Sequence, residues 1–266
     1  MKKTMLTLIA LLVMGFQLAG AQTYEVEYSG KPGSEAITKI INETLKETKI
    51  SPSVLDTVQL RKDYEDMVLA NKSIMSEDKV ISEMIPSKSH FEVHMGGMSI
   101  DMIKILSVAE MENYYDGVKN ESYIGLFNPM DQVRYLVKQP RQESPSFKQI
   151  EGSKTILGHE CKIMETEKIT VDLSNFNVPG LDGKSVTSKI KVWYATDIPF
   201  EMKGYFKGIP GLILGYETEI QGIVIPVFAT SIKKTDSEIT CPEGKVITLA
   251  EYLDMMKKSA ADMRVK

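Results

Sequence analysis

Over much of this chain hydrophobic and polar positions alternate with a period of two, the spacing of a strand with one buried face. Tyr24-Glu25-Val26-Glu27-Tyr28 is the first such segment, and it stops at the turn cluster Ser29-Gly30-Lys31-Pro32-Gly33. A helix is predicted next: Ser34 is placed to cap it, and Ile37, Ile40, Ile41 and Leu45 make one apolar stripe with a charged back. After the bend at Pro52, two strands are expected, Val58 to Leu69 and Lys72 to Ser76, joined at Ala70-Asn71. The Ser-, Met- and Gly-rich stretch from Lys79 to Leu106 supports short helices and a flap equally.

From Asn113 onward the pattern turns to strands: residues 113–119, 121–128, 132–139, 147–150 and 159–170, separated by Gly, Pro and Asn, predict an antiparallel meander. Residues 187–195, 212–220 and 223–233 continue it. In the first of these three, Ile190, Val192 and Tyr194 share one face and Lys189, Lys191 and Trp193 the other. Gln221-Gly222 is short enough for a tight hairpin between the second and third. The third is apolar on both faces, with Ile223, Ile225 and Val227 on one and Val224, Phe228 and Ile232 on the other, so something is expected to cover it. Thr248-Leu249-Ala250-Glu251 is a capping box that opens a C-terminal helix, with Leu249, Tyr252, Leu253 and Met256 as its stripe and Lys257, Lys258 and Arg264 near its end.

Residues 1–21 change the setting of this pattern. Lys2 and Lys3, the short apolar run from Leu6 to Val13 and the small residues Ala19-Gly20-Ala21 predict a cleaved secretory signal, leaving a single domain over residues 22–266 that is periplasmic or secreted. No later apolar run has membrane-spanning length, and no cysteine follows the signal to carry a lipid. In an oxidising compartment Cys161 and Cys241 are candidates for one disulfide, with two buried thiols as the alternative. With 32 basic and 36 acidic side chains in the 266 residues, and 30 against 36 once Lys2 and Lys3 are removed, the chain has no excess of cations for phosphates. Nucleic acid is therefore not expected as a partner.

Lys191-Val192-Trp193-Tyr194-Ala195-Thr196-Asp197-Ile198-Pro199-Phe200, with Gly208-Ile209-Pro210-Gly211-Leu212-Ile213-Leu214 after it, resembles the GLPGLI family of exported Gram-negative proteins, Ile209 standing where that family's hexapeptide usually has Leu. Residues 153–162, from Ser153 to Lys162, are similar to that family's Ile-x-Gly-Tyr-x-Cys-like strand, with His159 at an aromatic position, and Lys72 to Ser76 resembles an early Ser-x-Phe-like strand. Residues 79–113 match nothing in it. The resemblance implies an α+β, mainly β fold like that of the periplasmic lipoprotein carriers: a curved antiparallel sheet, an unclosed half-barrel, with helices packed on its concave face. It implies no catalytic residues and no cofactor. Trp193, Tyr194, Leu212, Leu214, Tyr216, Ile225 and Phe228 become candidates for lining an apolar cavity. Gly208, Pro210 and Gly211 read as a tight turn into a buried strand.

Reactive chemistry finds little to work with among three histidines, two cysteines and one tryptophan. His90-Phe91-Glu92-Val93-His94 could hold a metal on a strand or a helix, with Met95, Met98 and Met102 nearby. Phe91 breaks the His-Glu-x-x-His signature, and a metal-free segment is the expectation. Gly183-Lys184-Ser185 lacks the first glycine of a phosphate loop, Val178 standing there, and no Gly-x-Ser-x-Gly occurs. Glu217 and Glu219 alternate on a strand and mark a solvated face. The expected function is therefore non-catalytic binding of a lipid, an acyl chain or a lipidated segment. An envelope protein-interaction module and a metal-handling protein centred on His90 and His94 are the alternatives.

Overall fold

Period-two alternation is realised as ladder pairing through most of the chain. The computed structural model describes residues 22–48, 57–66, 69–85, 92–95, 98–101, 111–128, 131–139, 144–172, 185–220, 223–252 and 254–255. The signal segment, His90 and the Gln221-Gly222 turn lie outside these. In chain order the elements are β1 (Thr23–Gly30), α1 (Ser34–Thr48), α2 (Thr57–Asp66), β2 (Leu69–Met75), β3 (Lys79–Ile85), β4 (Glu92–Met95), β5 (Met98–Asp101), β6 (Met111–Asp116), β7 (Glu121–Asn128) and β8 (Val133–Lys138). They continue with β9 (Phe147–Ile156), β10 (His159–Thr166), β11 (Ile169–Asp172), β12 (Ser185–Ala195), β13 (Ile213–Ile220), β14 (Ile223–Thr235) and β15 (Lys245–Thr248).

Thirteen of these strands form one sheet in the order β15-β8-β7-β6-β3-β2-β1-β14-β13-β12-β10-β9, with β11 also on β12, while β4 and β5 pair apart. Every pairing is antiparallel except β15 on β8, and the terminal strands β15 and β9 do not meet, so the sheet is unclosed. The fold is mainly β. Its core lies where β1, β14, β13 and β12 run together, around the fully buried Val26, Val192, Leu212 and Leu214. The two predicted faces of β12 hold: Val192 is buried, whereas Lys189 and Lys191 pair across the ladder with Glu165 and Glu217 at 2.9 and 3.2 Å. Ile232 and Val227 both back onto the core because a bulge in β14 opposite Glu27/Tyr28 shifts the register and reverses which parity points inward.

Three expectations are corrected. Residues 57–66 form α2 rather than a strand, since TVQLRKDYED lacks alternation and its charges suit a solvated helix, which Arg61 ties to Thr38 of α1 by a 2.8 Å hydrogen bond. Gly33 rather than Ser34 accepts the first helical bond of α1, from the Ile37 amide at 2.9 Å. β9 runs on to Ile156 because Leu157 and Gly158 both take positive φ, 51° and 86°, and close a two-residue hairpin whose backbone twist matches the strands. The C-terminal capping box forms as expected: the Glu251 amide donates to Thr248 Oγ1 at 3.2 Å and the Thr248 amide to Glu251 Oε2 at 2.7 Å.

The candidate disulfide is also corrected. Cys161 is wholly buried on β10 and Cys241 is exposed in the segment joining β14 to β15, and both are free thiols. Cys241 sits beside Tyr114 of β6. β6 and β10 are seven positions apart in the strand order, and the two thiols are not bonded to each other. Burial pushes the Cys161 thiol up to about 11, which keeps it protonated and unreactive at neutral pH. Iodoacetamide should therefore label Cys241 in the folded protein and Cys161 only in denaturant. Intact-mass spectrometry checks this, and a reductant should leave the unfolding midpoint unchanged.

Candidate functional site

Ser122 on β7 and Ile190 on β12 lie seven strand spacings apart in the sheet, yet both line one cavity of about 390 Å³. The sheet must curve strongly to bring them together, and alternation explains which residues meet. From β2 the same-face residues Asn71, Ser73 and Met75 point in, from β3 Val80 and Ser82, from β6 Tyr115, and from β13 Tyr216 and Thr218. The void exists because several of these inward positions carry small side chains: Ser73, Ser82, Ser122 and Thr218 stand where a packed core would hold Leu or Ile. Such a volume lies within the ~300–1,000 Å³ range of small-molecule sites.

A segment over residues 196–212 covers the cavity from one side. Met202, Tyr205 and Phe206 line it. The segment is pinned at its far end: the Lys203 amide donates to the Glu77 carbonyl at 2.7 Å, Lys203 Nζ meets Asp78 Oδ1 at 2.7 Å, and the Tyr205 amide donates to the Tyr115 hydroxyl at 2.8 Å. Ser144 Oγ donates to the Gly204 carbonyl at 2.6 Å, and Phe206 packs on Phe147 of β9 with ring centres 6.1 Å apart. Every described lining residue comes from a strand, from the turn after β6 or from this segment. α1 packs instead against β14, and its buried Ile37 and Ile41 stand outside the main core cluster.

The hexapeptide returns the segment to the sheet. Gly208 has φ of +89°, a left-handed conformation that favours glycine, and Ile209 behind it is buried. The Ala195 amide then donates to the Leu212 carbonyl at 2.8 Å and the Leu212 amide to the Ile198 carbonyl at 3.1 Å, so Gly211 lies against the backbone of β12. A Cβ on Gly211 would stand 2.1 Å from the Ala195 carbonyl oxygen. These residues shape the wall from behind; of the six, Ile213 alone lines the cavity.

Inside, the polar groups of the described lining residues are neutral. Tyr28 is buried, donates its hydroxyl to the Ile213 carbonyl at 2.7 Å, and packs edge-on to Tyr216 at 5.7 Å between ring centres. Asn71 Nδ2 donates to the Tyr216 hydroxyl at 3.2 Å, while Asn71 Oδ1 is buried without a partner. Ser73 and Ser82 share a hydrogen bond at 2.8 Å. Burial raises both tyrosine phenols, Tyr28 further with Tyr216 beside it, and the Asn71 bond offsets part of the effect at Tyr216. Both therefore stay protonated, as donors, across the physiological range.

Of the sequence-derived lining candidates, Tyr216 reaches the cavity. Tyr194, Leu212 and Leu214 are buried in the core, and Trp193 and Phe228 meet at 5.1 Å on the opposite face of the sheet, where Lys154 Nζ lies 3.4 Å above the Phe228 ring. Ile225 packs against the core without lining this cavity. Asn71, Ser82, Tyr115 and Tyr205 were missed; the available signal was small or polar residues at alternate positions of strands whose other face also had work to do. Glu92 and His94 fall on β4, opposite Asp101 and Ser99 of β5, and His90 lies outside the described residues.

One constellation has the residue types of a thiol enzyme. His159 Nδ1 lies 2.8 Å from Asp197 Oδ2, two residues from Cys161 on the same strand. The thiol, however, is fully buried and points at the His159 carbonyl oxygen at 3.6 Å rather than at the imidazole. The His159 bond holds the exposed Asp197 carboxyl below its ordinary range, as a surface pair does. Among the described residues, no group of three or more His, Cys, Asp or Glu side chains is gathered as a metal site would require, and no helix is long and apolar enough to cross a membrane.

No family model matches the chain, and no curated protein matches it. Two solved structures of PNGF-II, in space groups C2 and P21, are similar to it at 20% identity, with TM-scores of 0.46 and 0.45. They cover 90% of this chain but only 33% and 34% of that protein. The chain thus spans about one third of its length. Nothing about substrate or chemistry follows from a likeness of that depth.

Proposed function

We propose that this is an exported, non-catalytic binding protein of the bacterial envelope, of GLPGLI type, which holds a lipid, an acyl chain or a lipidated segment in the cavity of its curved sheet. One observation carries the reading: a cavity of about 390 Å³ walled by aromatic and aliphatic side chains, with small residues at its floor. Five aromatic residues, Tyr28, Tyr115, Tyr205, Phe206 and Tyr216, supply contact surface, and burial of apolar ligand area there gains ~25 cal/mol per Å². In the half-barrel fold that the family resemblance implies, helices would plug this face; here the segment over residues 196–212 contributes Met202, Tyr205 and Phe206 to the lining.

The full chain, purified without detergent from a Gram-negative host, should show bound lipid by native mass spectrometry. It should also bind the neutral dye Nile red. Ser82→Phe places a ring in the cavity, and Nile red affinity should fall at least tenfold while unfolding remains cooperative, since overpacking costs about 1–3 kcal/mol. A lipid-free parent together with undiminished dye binding in Ser82→Phe overturns the reading.

A further inference from the structure

We propose that the cavity selects uncharged ligands, an acyl ester or acyl amide whose carbonyl is held at the Tyr216 hydroxyl, and rejects free fatty acids. The inference rests on the binding function proposed above and adds the chemical class of the ligand. Its first support is charge. Among the described residues that line the cavity, none is Lys, Arg, His, Asp or Glu. On the covering segment Lys203 is paired with Asp78 at 2.7 Å, so its charge is neutralised there. A carboxylate drawn into the cavity would give up water with no lining cation to replace it, which disfavours the charged form.

The second support is the set of donors. Tyr28 commits its proton to the Ile213 carbonyl. Tyr216 accepts from Asn71, and among the described residues no acceptor takes its own proton. Ser73 and Ser82 use one hydroxyl proton between them and keep the other. The cavity therefore offers hydroxyl donors to a ligand that brings a neutral acceptor. A carbonyl flanked by an apolar chain matches this, with the chain against Met75, Val80, Ile190, Met202 and Phe206. A free acid would gain the same hydrogen bonds but would carry its charge in with them.

Calorimetric titration of the full chain at pH 8 with 1-monodecanoylglycerol and with decanoate, which share one chain and differ in head group, tests the proposal. The ester should bind at least tenfold more tightly. Tyr216→Phe should weaken ester binding about three- to tenfold, the value of one hydrogen bond. Thr218→Lys, which puts a cation at the cavity wall, should raise decanoate affinity at least tenfold. Equal affinity of the parent for ester and acid overturns the charge selection while the binding cavity stands. Failure of both ligands and of Nile red to bind overturns the cavity itself.

Discussion

Replacing Gly211 by alanine should cost more than about 3 kcal/mol of stability. The new Cβ would lie 2.1 Å from the Ala195 carbonyl oxygen and 2.9 Å from a Tyr194 ring carbon. The first contact is with backbone, which a rotamer change cannot relieve. Ala195 is itself bound to Leu212 by the 2.8 Å ladder bond that starts β13, so separating the two strands sacrifices that bond and exposes Leu212, which is fully buried. Loss of a paired buried backbone group and of core packing are both among the mechanisms that produce large single-residue effects. Gly208→Ala is the internal control. Nothing lies within 4 Å of its would-be Cβ, and only the positive φ opposes the change, at about 1–2 kcal/mol. Urea unfolding followed by far-UV circular dichroism reads both. An order in which Gly208→Ala is the more damaging, or a Gly211→Ala protein within 1 kcal/mol of the parent, would refute the close-packed turn.

Leu214→Ala should cost about 2–5 kcal/mol, the range for emptying a closed core site, while leaving Nile red and ester affinity close to parental values. Leu214 is wholly buried, and it sits at the irregularity where the β12–β13 register shifts between Trp193 and Tyr194. That shift leaves Leu214 without a ladder partner and turns it into the core cluster with Val192 and Leu212, whereas Ile213 and Tyr216 face the cavity. The paired readout separates core from site. A cost under 1 kcal/mol with tenfold weaker ligand binding would place Leu214 at the cavity after all. Denaturant midpoints and dye titration on the same preparation decide it.

Strand alternation was legible wherever a segment had one wet face, as in β1, β7 and β12, because a two-residue period survives any arrangement of neighbours. It failed at Thr57–Asp66, where a solvated helix and an edge strand make similar demands on a polar decapeptide. It also misjudged which of the apolar residues of β12, β13 and β14 line the cavity. A strand apolar on both faces announces two covered surfaces but not which one surrounds empty space. Trp193 and Phe228 proved to be on the packed side and Tyr216 on the open one, and the bulges at Thr230 and Leu214 made simple parity an unsafe guide.

By itself the sequence determined the strand-rich architecture, the helix stripe and C-terminal capping box, and the hexapeptide turn, all of which depend on local backbone preferences and residue spacing. The scarcity of reactive residue types, three histidines and two cysteines, is likewise a property of the sequence alone. Only the tertiary structure decided the rest. Whether two cysteines can bridge depends on strand order, which brings Cys241 to β6 and leaves Cys161 on β10. Whether serines in separate strands make a floor depends on sheet curvature, which brings Ser73, Ser82 and Ser122 to one void. Cavities arise from the distances between elements, and those distances are set by packing between residues far apart in the chain, for which no single segment carries a signal.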